Sequence, residues 1–203
     1  MALISVSNNA LSDISTLPAS IPTGALTLLS TQTASASATI SFTTGLDSTY
    51  SSYIFKFIDI HPATDSVGFS FQGSTDSGSN YNVTMTTTFF EAYHDEADTA
   101  TGLGYEASHD QAQGTSFQRI VLNQGSDADQ SCNGTLQLFN PSSTTYVKHF
   151  IASSNSSSQN DYSQEDFVAG YFNTTSAIDA VQFKMSSGNI DDGIIKLYGV
   201  KKS

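Results

Sequence analysis

Positive charge is scarce in this chain. Lysine and arginine together occupy 7 of the 203 positions, against 19 aspartates and glutamates, which gives a formal net charge of −12. A protein that binds nucleic acid needs a basic surface to displace counterions from the phosphates, and the only adjacent cations are Lys201 and Lys202. The composition therefore predicts no nucleic-acid binding and no attraction to anionic membranes. The negative charge instead keeps copies of the chain soluble and mutually repelling.

Cysteine is almost absent as well. With Cys132 as the single cysteine, the chain can form neither an intrachain disulfide nor a zinc site built from cysteines. A free cysteine usually behaves as a small apolar side chain. We therefore expect Cys132 to be a thiol in or near a strand.

Long apolar runs are missing too. No stretch approaches the roughly 20 apolar residues of a membrane helix. The first residues, MALISVSNN, lack the cationic start and the apolar core of a signal peptide. The sequence thus predicts neither membrane insertion nor secretion through a signal peptide.

Motifs that mark common catalytic sites do not occur in the sequence. The HExxH spacing of metalloproteases, the GxSxG elbow of hydrolases and a glycine-rich phosphate loop are all missing. We therefore predict a protein that is not an enzyme and that has no catalytic residues and no cofactor.

One stretch nevertheless concentrates carboxylates and imidazoles. Side chains of this kind can hold a divalent ion or act as a general acid and base, but their spacing here matches neither an EF-hand loop nor a zinc motif. We interpret the stretch as an acidic, solvated loop and leave a metal site and an acid–base pair as alternatives. The candidate ligands are Glu91, His94, Asp95, Glu96 and His109.

Hydroxyl and aromatic side chains are abundant. Serine and threonine fill 56 positions, and 13 phenylalanines and 9 tyrosines supply large apolar groups, each able to bury about 150–250 Å². From Ala25 onward apolar residues recur at every second position, as in Val67, Phe69 and Phe71, a period typical of half-buried antiparallel strands. We predict an all-β domain over residues 25–203, an antiparallel β-sandwich of jelly-roll type with about ten strands and no helix.

Local composition divides this domain into strands, turns and loops. The run from Tyr53 to Ile60 is almost wholly apolar and predicts a central strand, whereas Ser187-Gly188-Asn189 and Asp191-Asp192-Gly193 have the composition of turns. The polar stretches 95–115 and 153–166 are too long for tight turns, so we predict two long loops that form a binding surface. Tyrosines in such loops can stack on sugars or contact proteins; the predicted contact residues are Tyr105, His109 and Tyr162.

The first 24 residues differ from the rest of the chain. Apolar side chains are spread among Ser, Asn and Asp, and Pro18 and Pro22 interrupt any regular element. We predict an extended anchoring arm that docks either on its own body or on a neighbouring subunit. Its candidate anchors are Leu3, Ile4, Val6, Leu11, Ile14 and Leu17.

Several segments resemble one family of proteins. The most specific are FKFIDIHPATD, from Phe55 to Asp65, and SGNIDDGIIKLYGV, from Ser187 to Val200; FQGSTDSGSNYNVTMTTTFF and FNPSSTTYVKHFIASS add to them. Together they resemble virion structural proteins of tailed marine phages, especially phages of cyanobacteria, over roughly residues 26–200. The resemblance brings no catalytic residues with it.

This resemblance implies a jelly-roll module that is assembled in several copies on a virus particle. A homotrimer attached to other virion proteins through the arm is expected by analogy, with assembly in the host cytoplasm. A tail-fibre or baseplate-associated appendage is favoured by the aromatic residues in the polar loops, and a head decoration protein by the small size. A module that binds or degrades host envelope polysaccharide is the alternative from another class, since a host surface glycan could be the receptor.

Overall fold

The computed structural model describes residues 25–201, so the predicted arm at 1–24 lies outside the described residues. The described part contains no helix and has thirteen strands rather than the ten expected. They are β1 (Leu26–Thr33), β2 (Ile40–Phe42), β3 (Ser52–Pro62), β4 (Val67–Ser74), β5 (Met85–Asp95), β6 (Thr101–Tyr105), β7 (Ala112–Gly114), β8 (Gln118–Gln124), β9 (Cys132–Phe139), β10 (Lys148–Ser157), β11 (Tyr162–Phe172), β12 (Ala180–Met185) and β13 (Ile190–Val200). In consequence, no helix in this part could cross a membrane.

The strands form two antiparallel sheets of very different width. The larger sheet has nine strands in the order β1-β13-β3-β9-β10-β11-β5-β6, with the short β7 also paired to β5. The smaller sheet has four strands in the order β2-β12-β4-β8. Every pairing is antiparallel, as the alternating pattern predicted. The finer expectation of a jelly-roll topology stays a prediction.

Aromatic side chains join the two sheets into a sandwich. Phe183 of β12 lies 5.3 Å, between ring centroids, from both Phe55 and Phe57 of β3 in the opposite sheet. It also stacks on Phe69 of β4 at 5.7 Å. Edge-to-face contacts of this kind add about 0.5–1.5 kcal/mol each to the area they bury. The core is therefore one contiguous cluster of aromatic and aliphatic side chains from both sheets.

The predicted central strand is confirmed. Strand β3 lies between β13 and β9, inside the larger sheet. Its side chains at Tyr53, Phe55 and Phe57 are fully buried against the smaller sheet. Those at Ile54 and Ile58 are half-buried on the other side, because that side of the sheet has no second layer among the described residues.

The expected turn at Asp191-Asp192-Gly193 is wrong. These residues lie inside β13, where the pairing with β3 shifts register on either side of Asp192. The facing strand is irregular too, with Asp59 at a φ of 51° and a register shift between Phe57 and Ile60. The turn composition therefore marks a β-bulge, which needs the same backbone conformations as a turn. The turn at 187–189 does connect β12 to β13.

The two predicted long loops are also wrong. Residues 153–166 belong mostly to β10 and β11, which pair residue for residue from Lys148 with Phe172 to Ser157 with Ser163. Only a tight turn at 158–161 separates them. Residues 95–115 contain β6 and β7, both paired with β5. Polar residues form strands here because pairing satisfies their backbone hydrogen bonds whatever the side chains are: β10 also pairs with β9, and β11 with β5.

Candidate functional site

The acidic stretch is divided between two sides of a sheet. Because β5 alternates, Glu91 points inward and is half-buried, whereas His94 is exposed. Glu96 follows the end of the strand and is exposed. His109 lies beyond β6, next to β8. The five candidate ligands therefore do not converge, and residues 25–201 contain no group of three or more His, Cys, Asp or Glu side chains that could hold a metal.

Asp95 shapes the turn that follows β5. Its carboxylate accepts hydrogen bonds from the Thr99 hydroxyl and from the backbone N–H groups of Thr99 and Ala100, the last two at 2.8 Å. The Thr99 hydroxyl and these N–H groups lower the pKa of Asp95. Asp95 thus stays ionised and fixes the position of its neighbours.

His109 forms a hydrogen bond with an arginine side chain. The Arg119 guanidinium donates to Nε2 of His109 at 3.0 Å, and Glu106 lies 3.6 Å from its Nδ1. Burial, followed by the charge of Arg119, lowers the pKa of His109. The neutral ring therefore accepts the hydrogen bond from Arg119, which leaves that nitrogen occupied.

A polar cleft with a volume of about 360 Å³ lies where β5 and β10 end and β11 begins. It is lined by residues 94–96 at the end of β5, residues 155–157 of β10, and Tyr162 and Ser163 at the start of β11. The backbone N–H of Glu96 donates to the carbonyl of Asp161 at 3.0 Å, which ties the two turns together. Of the predicted site residues, the cleft brings together His94, Asp95, Glu96 and Tyr162.

Tyr162 is fixed in orientation by a neighbouring ring. It stacks on Tyr93 with a centroid distance of 5.2 Å and an angle of 10° between the rings. Tyr105, the other predicted contact, lies instead on the edge strand β6 and is 55% exposed. Its hydroxyl donates to Asp110. The two tyrosines therefore belong to different surfaces.

Beneath the cleft lies a buried acid pair that the sequence analysis did not identify. The side-chain amide of Gln164 donates to Glu91 at 2.8 Å and to Asp166 at 2.9 Å. Asp166 is 1% exposed and also accepts from the backbone N–H of Leu122 at 2.9 Å. Burial raises the pKa of Asp166 to about 7. Burial, followed by the charge of Glu106, raises the pKa of Glu91.

Two buried hydroxyls lie beside this acid pair. Register places Ser154 opposite Asp166 and Ser156 opposite Gln164. Each serine is 1% exposed, and neither side-chain oxygen has a hydrogen-bond partner. Cys132 is paired with Ser156 and is a buried strand thiol, as expected. Burial, followed by the charge of Asp166, raises its pKa. Residues 154, 156, 164 and 166 all point inward, a period of two that indicates strands. The prediction of a loop at 153–166 overlooked this period.

The other side of the larger sheet is uncovered by described residues and carries several exposed apolar side chains among polar ones. A row of aromatic rings crosses three strands, with Phe167 stacked on Phe90 at 4.8 Å and Tyr105 paired to Phe90 in register. Leu103 is 76% exposed and Ile151 is 55% exposed. Further large apolar side chains exposed on this side are Leu26 and Leu28. We call this surface the outer face.

Two lysines meet on the outer face. Lys196 of β13 lies directly opposite Lys56 of β3, and the Lys56 ammonium lies 5.6 Å from the ring centroid of Tyr198. Like charges in directly opposed positions of a sheet destabilise it.

Comparisons with known proteins provide no further assignment. No protein-family model matches the chain, and no curated protein or solved structure is significantly similar to it. The function is therefore inferred from the surfaces described above and from the sequence segments.

Proposed function

We propose that this chain is a non-enzymatic structural protein of a tailed-phage virion, a tail-fibre or baseplate-associated appendage that acts in assembly and host attachment. The observation that carries the proposal is the outer face. Exposed apolar patches on single chains mark surfaces that bind other proteins. Here two groups of exposed apolar side chains lie on this face, one on edge strand β1, with Leu28 52% exposed, and one near the opposite edge at β6, with Leu103 76% exposed.

The proposed partners are other copies of the chain and neighbouring virion proteins. Aromatic residues, which are common in the centres of protein interfaces, lie on the outer face as Phe90 of β5 and Phe167 of β11, near its β6 edge. The resemblance to phage virion proteins supports the same role, with a homotrimer as the proposed state. The arm at 1–24 is proposed to anchor the chain in the particle.

The experiment that tests this function locates the chain in a particle. Phage particles assembled with an epitope-tagged chain would be labelled with gold-conjugated antibody and imaged by electron microscopy. We expect label at the tail or baseplate. Label spread over the head would replace this proposal with the head-decoration alternative, and particles without label would contradict a virion role altogether.

A truncation tests the anchoring role of the arm. Removal of residues 2–22 leaves every described strand intact, because the first one begins at Leu26. We expect the truncated chain to fold, as judged by its circular dichroism and melting temperature, and to be missing from purified particles. If the truncated chain cannot fold, the arm is part of the core and the anchoring proposal is wrong.

A further inference from the structure

We propose that an apolar groove on the outer face holds residues 1–24 of a neighbouring copy of the chain. The inference rests on the self-association proposed above and names the two surfaces that meet in it. The groove has a volume of about 500 Å³ and crosses β9, β10, β11 and β5. Its lining includes Phe139, His149, Ile151, Ala169 and Tyr171.

A small side chain between large ones makes this part of the face concave. On β11 the outward residues are Phe167, Ala169 and Tyr171, so Ala169 leaves a gap between two aromatic rings. Register places Ile151 of β10 and Thr88 of β5 on either side of Ala169. These side chains alternate with core-facing neighbours on their strands. The groove therefore opens away from the sandwich, towards other molecules.

The lining suits an apolar and uncharged occupant. It contains no aspartate, glutamate, lysine or arginine. Ile151 is 55% exposed, and the rings of His149 and Tyr171 lie 5.7 Å apart. Residues 1–24 have the matching composition, since apolar residues are spread along them and Asp13 is their only charged side chain. Burial of apolar surface on both partners is favourable, whereas a charged segment would lose its hydration here without gaining a partner.

The described chain begins near this groove. Leu26 pairs with Val200, and Val200 pairs with Ser52. Ser52 in turn pairs with Phe139, which lines the groove. The start of β1 therefore lies three strand spacings, about 14 Å, from the groove. The 24 residues that precede the described part can span at most about 80 Å, enough to reach the groove of an adjacent copy as well as their own.

Symmetry favours the adjacent copy. A face that packs on the same face of another copy produces a twofold dimer, whereas a homotrimer needs contact between two different surfaces. The arm and the groove are two different surfaces of one chain, so each copy in a trimer gives one arm and receives one. Docking of the arm on its own copy would instead cover Ile151 without joining any two copies.

The test uses the full chain with a photo-crosslinking residue in the arm, Leu11→p-benzoylphenylalanine. Sedimentation first establishes the oligomeric state. Irradiation then links the arm to the residue it contacts, and denaturing electrophoresis with peptide mass spectrometry identifies the product. We expect a link between two copies, from the arm to a residue that lines the groove. A link within one chain, a link outside the groove or no link at all would overturn the proposal.

A pair of matched variants tests the groove itself. Ala169→Trp fills the gap with an outward-pointing ring, and we expect it to abolish both the cross-link and the trimer. Ala128→Trp adds the same ring to an exposed alanine between β8 and β9 and should keep both. Circular dichroism checks that each variant folds, and Thr88→Trp narrows the same groove from β5 if Ala169→Trp does not fold. A cross-link that survives in the folded groove variant would refute docking at this place.

Failure of the docking and failure of the self-association give different results. A native trimer whose arm links outside the groove retains the proposed self-association and loses only the docking. A native chain that sediments as a monomer contradicts the self-association, and the docking with it. Neither result alters the labelling of the tail or baseplate, which is measured on particles.

Discussion

At the scale of single residues, the sandwich contains polar groups in places where apolar ones would suffice. Lys148 is fully buried, and its ammonium donates to the carbonyls of Tyr146 and Thr174 at 2.7 and 3.0 Å. Burial lowers the pKa of Lys148. Asp166 is the acidic counterpart at the other end of the larger sheet. A buried charged group destabilises the fold unless neighbouring groups form hydrogen bonds with it. The stability of the protein therefore depends on the hydrogen-bonding partners of Lys148 and Asp166.

The burial of Asp166 predicts a stability that falls as pH rises. Its pKa is about 7 in the folded chain against an ordinary value of 3.8. Between about pH 4 and 7 the unfolded chain therefore releases this proton while the folded chain keeps it. The free energy of unfolding should decrease by about 1.4 kcal/mol for each pH unit in that window. The stability that protonated Asp166 contributes is fully present below its pKa in the unfolded chain and is lost above its pKa in the folded chain.

Asp166→Asn should remove this dependence, since the amide cannot ionise. Denaturant titrations of both chains between pH 4 and 8 would give the two slopes. As pH rises, we expect the free energy of unfolding of the variant to increase relative to that of the native chain. The other groups near Asp166, namely Glu91, Glu165 and Cys132, are common to both chains, so the difference isolates one carboxyl. Parallel curves would show that Asp166 does not titrate in this range.

At the scale of elements, the bulge shared by β3 and β13 is a constrained backbone segment. Gly193 has a φ of +121°, which side-chain-bearing residues rarely adopt. A Cβ at this position would lie 2.7 Å from both the Asp59 carbonyl oxygen and the Ile60 Cα. Asp59 itself is held by a 3.0 Å hydrogen bond from its N–H to the Asn133 side chain. The bulge therefore needs glycine for space as well as for conformation.

Gly193→Ala should destabilise the fold by about 2–4 kcal/mol, from backbone strain and a backbone clash together. Thermal melting and urea unfolding would measure the loss. Gly104→Ala is the matched control, because no atom lies within 4 Å of a Cβ built there and no positive φ is involved. It should change stability by less than about 1 kcal/mol. If Gly193→Ala is as stable as Gly104→Ala, the bulge does not require glycine at position 193.

At the scale of the whole molecule, the unequal widths of the two sheets determine which surface is left for partners. The layer between the four strands and the nine includes buried polar groups, since Asp166 of β11 accepts a hydrogen bond from the backbone N–H of Leu122 in β8 of the smaller sheet. The outer face has no covering layer among residues 25–201. Net negative charge opposes association between copies, so association requires the apolar contact.

Charge placed on the outer face should therefore prevent self-association. We expect the native chain to sediment as a trimer and the double variant Leu103→Asp, Ile151→Asp to sediment as a monomer with unchanged circular dichroism. Ser187→Asp, in the exposed turn between β12 and β13, adds the same kind of charge elsewhere and should remain trimeric. A native chain that sediments as a monomer would contradict self-association through this face, and a trimeric double variant would assign the contact to another surface.

The fold class can be read from the residue pattern, because burial of every second side chain is a local property that leaves an alternating pattern. Strand β3, with Phe55 and Phe57, is visible for that reason. Strands β10 and β11 carry a polar stretch from Ser153 to Asp166 and were mistaken for a loop. Their conformation comes from hydrogen bonds to β9 and β5, which belong to other parts of the chain.

The composition of the surfaces, in contrast, depends on how the strands pair and pack. The cleft joins residues about 60 positions apart, with His94 beside Asn155 and Tyr162, and the acid pair joins Glu91 to Asp166 through Gln164. Residue types alone leave open a metal site or an acid–base pair near His94 and cannot exclude His109 from it. Which side chains share a surface depends on strand order and register, and these follow from packing two sheets of unequal width around one aromatic core.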